Sequence, residues 1–458
     1  MENGRRPETA PLEGNTFVDQ ARKASYEVAH QNGDDNFYRL RNLFEISSTL
    51  STGGLDLEID PRDLLQQTIQ LRIADGSQYA PDAYIQLEAS ARNVAGDLKG
   101  ARVRTNELKK ELEHEETHHV IALHLANARL ASRLGEDPTR DLGRAWRISG
   151  KDHTLKQLER RQIAEASFDL GLDPKIYFNA LVKEALIKAP KSRLEMEGLT
   201  EVAASLARCG YLDEAVDLMR HFEMERSSNI PMENTIEIAG RLIDAGRVDD
   251  ALEISRNSIW PFAKAKIALA IARSPHMSLK VIHSIGGDVK LALEPTGWGL
   301  NRDGEVFAEW CQLTRQDPMA HIPDHIREAI NGNDFMVAED TTETFARFGK
   351  IQDLLGLNST PTFELAFQAA DKIIPEDPQM RSNMDVYQRY NGLVDIATNA
   401  AIGRNQTIFD RALSEVKKVG KHESVPNPIC GLDLDREFII SETAQNLADQ
   451  AVELSKAA

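Results

Sequence analysis

Glu201–Phe222 reads EVAASLARCGYLDEAVDLMRHF, and Glu237–Ile259 reads EIAGRLIDAGRVDDALEISRNSI. The two stretches align without a gap: Ala203 with Ala239, Gly210 with Gly246, Asp213 with Asp249, Ala215 with Ala251 and Leu218 with Ile254. Apolar residues recur at three- and four-residue spacing on both sides of each glycine, so each stretch predicts two amphipathic helices joined by a tight turn. The glycine ends the first helix in the left-handed conformation that only glycine adopts cheaply. The aspartate behind it is suited to cap the second helix. The alanine on the first helix lets the second pack close against it.

The same signs occur upstream in a register of 36 to 39 residues. Gly135, Gly171, Gly210 and Gly246 are separated by 36, 39 and 36 residues. Each is preceded seven residues earlier by an alanine (Ala128, Ala164, Ala203, Ala239) and followed by an aspartate (Asp137, Asp173, Asp213, Asp249). A single helix pair cannot bury its own apolar face, so repeated pairs are expected to stack. FAKAKIALAIARSPHMSLKVI, with Ala268 and Pro275 in the turn position, and FARFGKIQDLLGL around Gly349 are weaker copies.

The repeats resemble the tetratricopeptide and pentatricopeptide superfamily, whose helical hairpins share the alanine, the turn glycine and the Asp-Glu-Ala start of the second helix. The resemblance is best over residues 197–259. It implies an α-solenoid whose first helices line a concave binding face. On that geometry Glu197, Thr200, Ala204, Ala207 and Arg208 of one repeat, and Glu233, Ile236, Gly240, Ile243 and Asp244 of the next, are expected to be exposed there. The base-reading position of the pentatricopeptide relatives would fall on Thr200 and Ile236.

The rest of the chain is also helical. FVDQARKASYEVAH, DNFYRLRNLFEISSTL, PRDLLQQTIQLRIADG and PDAYIQLEASARNVAGDL carry the helical period, and a long helix is expected from about Val103 to Leu134. No alternating strands with hairpin turns occur, so the fold class is all-α. The expected organisation is a disordered tail over 1–16, an N-terminal helical region over 17–102 and the repeats over 103–285. A Gly/Pro-rich linker over 286–303 and a C-terminal helical region over 304–458 follow.

Composition narrows the function. The 458 residues carry 54 Lys+Arg against 72 Asp+Glu, a net charge of −18, which repels phosphate and anionic lipid. With 41% hydrophobic residues the chain can bury a core. Cys209, Cys311 and Cys430 are too far apart for a CxxC knuckle or a disulfide framework. No apolar leader or membrane-length run is visible, and a cytoplasmic location is expected.

One stretch points to chemistry. HEETHHVIALH, residues 114–124, contains His114-Glu115-x-x-His118, the helical spacing with which two histidines hold zinc while the glutamate acts as base. The metzincin peptidases, which this stretch resembles, need glycine where Ile121 stands. In a continuous helix His124 lies about 15 Å along the axis from His114, too far to share its metal. The apolar stripe is read as Leu108, Leu112, His119, Leu123, Ala126 and Leu130, with His119 joining the core. His321 and His325 are separated by Pro323, which disfavours one regular helix through both.

The expected function is therefore a non-enzymatic scaffold that binds a protein or peptide, such as a basic or amphipathic helix, with Glu197, Thr200, Arg208, Glu233, Ile236 and Asp244 at the partner face. No metal or cofactor is expected. A zinc metallopeptidase using His114 and His118 is the enzyme alternative, and pentatricopeptide-like RNA binding is the second.

Overall fold

The structure is a computed structural model that describes residues 16–31, 36–74, 81–111, 117–149, 156–187, 193–223, 232–258, 260–274, 300–331, 338–374, 383–419 and 436–457. Among the described residues every regular element is a helix and none is a strand, as the periodicity requires. The chain divides into two compact units, Ser77–Leu313 and a discontinuous one made of Met1–Gly76 with Thr314–Ala458. This differs from the boundaries read from the sequence. The N-terminal region over 17–102 is shared between the two units. Most of the 286–303 linker lies outside the described residues, and its last four residues open a helix.

The inserted unit, Ser77–Leu313, contains α4 (Pro81–Val94), α5 (Leu98–Glu111), α6 (Thr117–Arg133), α7 (Thr139–Ile148), α8 (Lys156–Asp169) and α9 (Lys175–Ile187). It continues with α10 (Arg193–Arg208), α11 (Leu212–Glu223), α12 (Met232–Asp244), α13 (Val248–Asn257), α14 (Pro261–Arg273) and α15 (Leu300–Thr314). The four repeat glycines sit in the turns between α6 and α7, α8 and α9, α10 and α11, and α12 and α13. Their φ angles are 71°, 72°, 81° and 77°. At each turn the glycine N–H reaches the carbonyl three residues back. The next N–H reaches the carbonyl five back from itself, as in Tyr211 to Leu206 (2.9 Å) and Arg247 to Leu242 (2.8 Å). This double bond pattern satisfies carbonyls that the helix end leaves open. A Cβ at Gly135, Gly171 or Gly210 would meet nothing within 4 Å, so backbone conformation and not space selects glycine there.

Gly96, with φ 81°, makes the same turn between α4 and α5. It lies 39 residues before Gly135, so the register begins one hairpin earlier than the sequence reading placed it. Ala89 and Asp97 are the signs that could have found it. The repeat alanines Ala128, Ala164, Ala203 and Ala239 are fully buried. The first helix of each hairpin from α6 to α14 packs against its own partner or its neighbour, and α10, α12 and α14 follow one another directly.

Two expectations change. Asp137 and Asp173 cap as expected, accepting the N–H of Thr139 and of Lys175 at 2.9 Å; the Thr139 hydroxyl and then its N–H hold the Asp137 carboxyl below the usual range, and the Lys175 N–H does so for Asp173. Asp213 and Asp249 lie inside the first turns of α11 and α13, where they oppose the helix dipole's positive end instead of capping. The long helix from Val103 to Leu134 is two helices, α5 and α6, that pack on each other. Asn127 Nδ2 donates to Asn106 Oδ1 at 3.1 Å, a pair that one straight helix would hold about 30 Å apart.

The terminal unit contains α1 (Thr16–Ala29), α2 (Asn36–Thr52), α3 (Pro61–Ala74), α16 (Asp324–Asn331), α17 (Ala338–Leu354), α18 (Thr360–Ile373), α19 (Asn383–Gly403), α20 (Gln406–Val416) and α21 (Arg436–Ala457). Here the turn of the α17–α18 hairpin is Gly356, φ 73°, and not Gly349. Gly349 lies inside α17, seven residues earlier, in the place of the repeat alanine. A Cβ there would come within 2.7 Å of the Phe363 ring on α18, so the second helix approaches closer than alanine permits. The α19–α20 hairpin uses Arg404 at φ 67° for the same turn, followed by Asn405, whose side chain accepts the Ile408 N–H at 3.2 Å.

The last helix, α21, finds its partner at the other end of the chain. α1 packs along α21 and touches α20, with Phe17 edge-on to Phe409 (centroids 5.0 Å) and Lys417 paired to Glu27 at 2.7 Å. α2 lies along α21 as well: Ser441 Oγ donates to Asn42 Oδ1 and Gln445 Nε2 to Thr49 Oγ1, both at 2.8 Å. The first described helix thus serves as the second helix of the last described hairpin.

Candidate functional site

The residues expected on an open first-helix face are largely occupied by the stack itself. Thr200 is fully buried, and its Oγ1 accepts from Asn234 Nδ2 at 3.2 Å. Ala204, Ala207 and Ile243 are buried, and Ile236 packs against the same core. Arg208 on α10 reaches Glu165 on α8 at 2.6 Å and Glu237 on α12 at 2.5 Å. Arg161 pairs with Glu201 at 2.5 Å, and the Ser205 hydroxyl donates to Glu165. The result is a ladder of alternating charge across α8, α10 and α12 that ties three successive hairpins. Glu233 is exposed but pairs with Arg302 at 3.1 Å, while Asp244 is exposed at the end of α12. Glu197 lies on α10 with its side chain outside the described residues.

The predicted exposure of Thr200, Ala204, Ala207 and Ile243 is therefore corrected. An alignment gives the angular position of a residue on its helix. The tilt between neighbouring hairpins decides which of those positions are covered. Of the two base-reading positions, Thr200 is buried with its hydroxyl engaged, and Ile236 is half-buried against the core.

The histidine stretch divides in the same way. Residues 112–116, including His114 and Glu115, lie outside the described residues, as does the side chain of His118 on α6. His119 is exposed and does not join the core. Ile121, Leu125 and Ala128 form the buried face of α6, together with His124. His124 Nδ1 lies 3.1 Å from Asp141 Oδ1 on α7, and Arg102 approaches the same carboxylate at 4.0 Å. Among the described residues no three His, Cys, Asp or Glu side chains gather as a metal site would require. Regular helix begins at Asp324, between His321 and His325. Cys209 is buried, and desolvation helped by Glu165 and Asp169 pushes its thiol up to about 11, which fits a packing role.

His124 carries a pH prediction. Desolvation lowers its pKa from the ordinary value despite the opposing Asp141 hydrogen bond. The unfolded chain then binds the proton more tightly, so this contribution is present above pH 6.5 and is lost as pH falls through the folded value. Thermal melts between pH 7.5 and 5 are expected to show a shallower loss in His124→Gln than in the unaltered chain. The substitution itself should cost about 1–3 kcal/mol at pH 7.5 by disturbing the Asp141 bond. An unchanged pH slope would refute the assignment.

A second feature was not legible in the sequence. A groove of about 450 Å³ runs between α9 and α11, lined by Lys175, Phe178, Val182, Lys183, Leu206 and Tyr211 among others. The Lys175 ammonium lies 3.5 Å from Glu214 and 5.6 Å from the centroid of the Tyr211 ring, and Tyr211 donates to Asp173 at 3.0 Å. These contacts close the groove at its turn end.

No protein-family model matches the chain, and no curated protein matches it significantly. Among the described residues no helix is long and apolar enough to cross a membrane.

Proposed function

We propose that this chain is a non-enzymatic scaffold, a helical-repeat protein of the cytoplasm that binds a protein or peptide partner on the surface of its stacked hairpins. The observation that carries the reading is the recurrence of one turn, glycine at φ 71° to 81° in a 36 to 39 residue register, over five successive hairpins. Such arrays spend little sequence on a closed active-site cavity and present a long continuous surface to a partner. The repeat likeness to the tetratricopeptide and pentatricopeptide superfamily supports the same reading. With a net charge of −18, a basic or amphipathic helical segment is the partner that suits the surface best.

The test is affinity capture with the full chain, followed by reconstitution of the binary complex from purified components. A partner that binds the unaltered chain and loses at least tenfold in affinity to a Glu233→Lys, Asp244→Lys variant is the expected result. Purified chain that carries stoichiometric zinc and cleaves peptides would overturn it.

A further inference from the structure

Among the second helices of the inserted unit, α7 departs from rules that the others keep. The second, sixth and ninth residues of each lie on one outer row. In α11 they are Asp213, Asp217 and Arg220, and in α13 Asp249, Glu253 and Arg256. An acid thus stands at the positive end of each of these helices, and the two rows pair with each other, Arg220 with Glu253 at 2.6 Å. In α7 all three are arginines, Arg140, Arg144 and Arg147. Arg140 lies in the first turn, where a cation opposes the helix dipole, and like charges three and four residues apart repel. The α9 row, Ile176, Ala180 and Lys183, offers them no acid. The carboxylates beside them in sequence, Glu136, Asp137 and Asp141, are engaged by Arg102, Thr139 and His124. Arg140 and Arg147 are exposed and Arg144 is half-buried, and among the described residues none of the three pairs with a carboxylate. Residues 119–149, which hold α7 and the whole turn before it, are described without a break.

Gly143 lies among these arginines, with Arg140 one turn before it and Trp146 and Arg147 one turn after. Glycine weakens a helix interior, and nothing inside the chain requires it here: a Cβ would meet nothing within 4 Å. Gly349 shows what such a glycine does in this fold, since the Phe363 ring of the facing helix rests on its bare backbone. We propose that the outer face of α7 docks an acidic amphipathic helix of a partner protein, whose carboxylates meet Arg140, Arg144 and Arg147 while one large apolar side chain rests on the backbone at Gly143, beside Trp146. The inference rests on the scaffold reading, and of the segments that reading allows it selects an amphipathic helix with an acidic side. Charge decides the sign: a row of three unpaired cations is met by carboxylates. Spacing and the glycine decide the form. The row spans about 10 Å along α7, and acids at three- and four-residue intervals on a facing helix match it. A bare backbone between the charges suits a partner with a side chain to place there, and the net charge of −18 repels a long polyphosphate.

The test selects peptides from a phage-displayed random library on the full-length chain and measures the winners, beside a single-stranded oligouridine, by fluorescence anisotropy. The expected winners carry Asp or Glu at helical spacing around one large apolar residue. Their affinity should fall at least tenfold for the double variant Arg140→Glu, Arg147→Glu, both at exposed positions where melting checks the fold. Replacing two of the peptide's acids by lysine should restore binding to that variant. Gly143→Ala should raise the melting temperature and yet weaken the peptides, a combination that a purely internal role for the glycine does not produce. Winners that bind both variants as tightly as the unaltered chain would place the surface elsewhere, overturning the α7 face while leaving the scaffold reading intact. Oligouridine bound through the same arginines, with no acidic peptide selected, would assign the row to nucleic acid and overturn the proposal. Failure to select any peptide would overturn it too, and the capture experiment above would then judge the scaffold reading by itself.

Discussion

A chain that starts at residue 32, without α1, is expected to lose the cooperative fold of the terminal unit while keeping that of the inserted unit. α1 buries Val18, Ala21, Ala24, Tyr26, Val28 and Ala29. At about 1.5–3 kcal/mol for each larger side chain and less for each alanine, their removal costs roughly 5–10 kcal/mol. That is the scale of a whole domain's stability. The deletion also uncovers Phe409 on α20, against which Phe17 packs edge-on, and takes from α21 its hairpin partner, leaving it α2 and α19 to pack on. Circular dichroism melts should lose one transition, and limited proteolysis should cut within residues 314–458 and spare 77–313. Added peptide spanning residues 12–31 should restore the lost transition, since α1 docks by contacts and not through its link to α2. A truncated chain that melts as the full one does would show that α1 is dispensable.

Asp395→Asn is expected to work in the opposite direction and to stabilise the protein above neutral pH. Asp395 on α19 faces Glu339, Glu343 and Arg347 of α17. Desolvation first, then the Glu343 charge, pushes its carboxyl up to about 7 against the partial relief from Arg347. Arg347 is already paired with Glu343, so it cannot neutralise both carboxylates fully. The sign follows from linkage. A folded pKa above the unfolded value of 3.8 means a contribution fully present below pH 3.8 and lost as pH rises through about 7. Above pH 7 the ionised group should cost about 2–4 kcal/mol, allowing for relaxation. Asparagine removes that cost and keeps the shape. Melting temperatures of the variant should exceed those of the unaltered chain by several degrees at pH 8, with the gap closing toward pH 4. Equal melting at pH 8 would remove the charge from the account of this interface.

Much of the local structure is written in single residues. Gly135, Gly171, Gly210 and Gly246 could be read as left-handed helix ends because no other residue occupies that conformation at so little cost, and the backbone there agrees. Ala128, Ala164, Ala203 and Ala239 could be read as close-packing positions because a small side chain on an apolar face has few other uses. Where the same device used another residue the reading missed it. Arg404 makes the glycine turn, and Gly349 takes the alanine's place, so neither fits the pattern by identity.

The sites were less legible. Thr200 and Ile243 were placed on the correct helices but on the wrong side of the packing, because helical phase does not report the tilt of the next hairpin. His119 was read into the core and is exposed for a related reason: α6 carries two apolar stripes, and periodicity cannot say which one α7 and α8 will cover. The groove between α9 and α11 has no sequence signature at all. Its lining comes from three helices, and its depth depends on how far two second helices stand apart.

Sequence alone therefore determined the all-α class, most of the helices and the ends that a repeat glycine marks, since these follow from backbone conformation, turn chemistry and a 3.6-residue period acting over a few neighbours. Tertiary structure alone decided that α1 completes the hairpin begun by α21, which first-helix residues are buried, and where a groove stays open. Those outcomes depend on contacts between residues as far apart as Phe17 and Phe409, whose partners are chosen by shape and burial across the whole fold and leave no mark in local spacing.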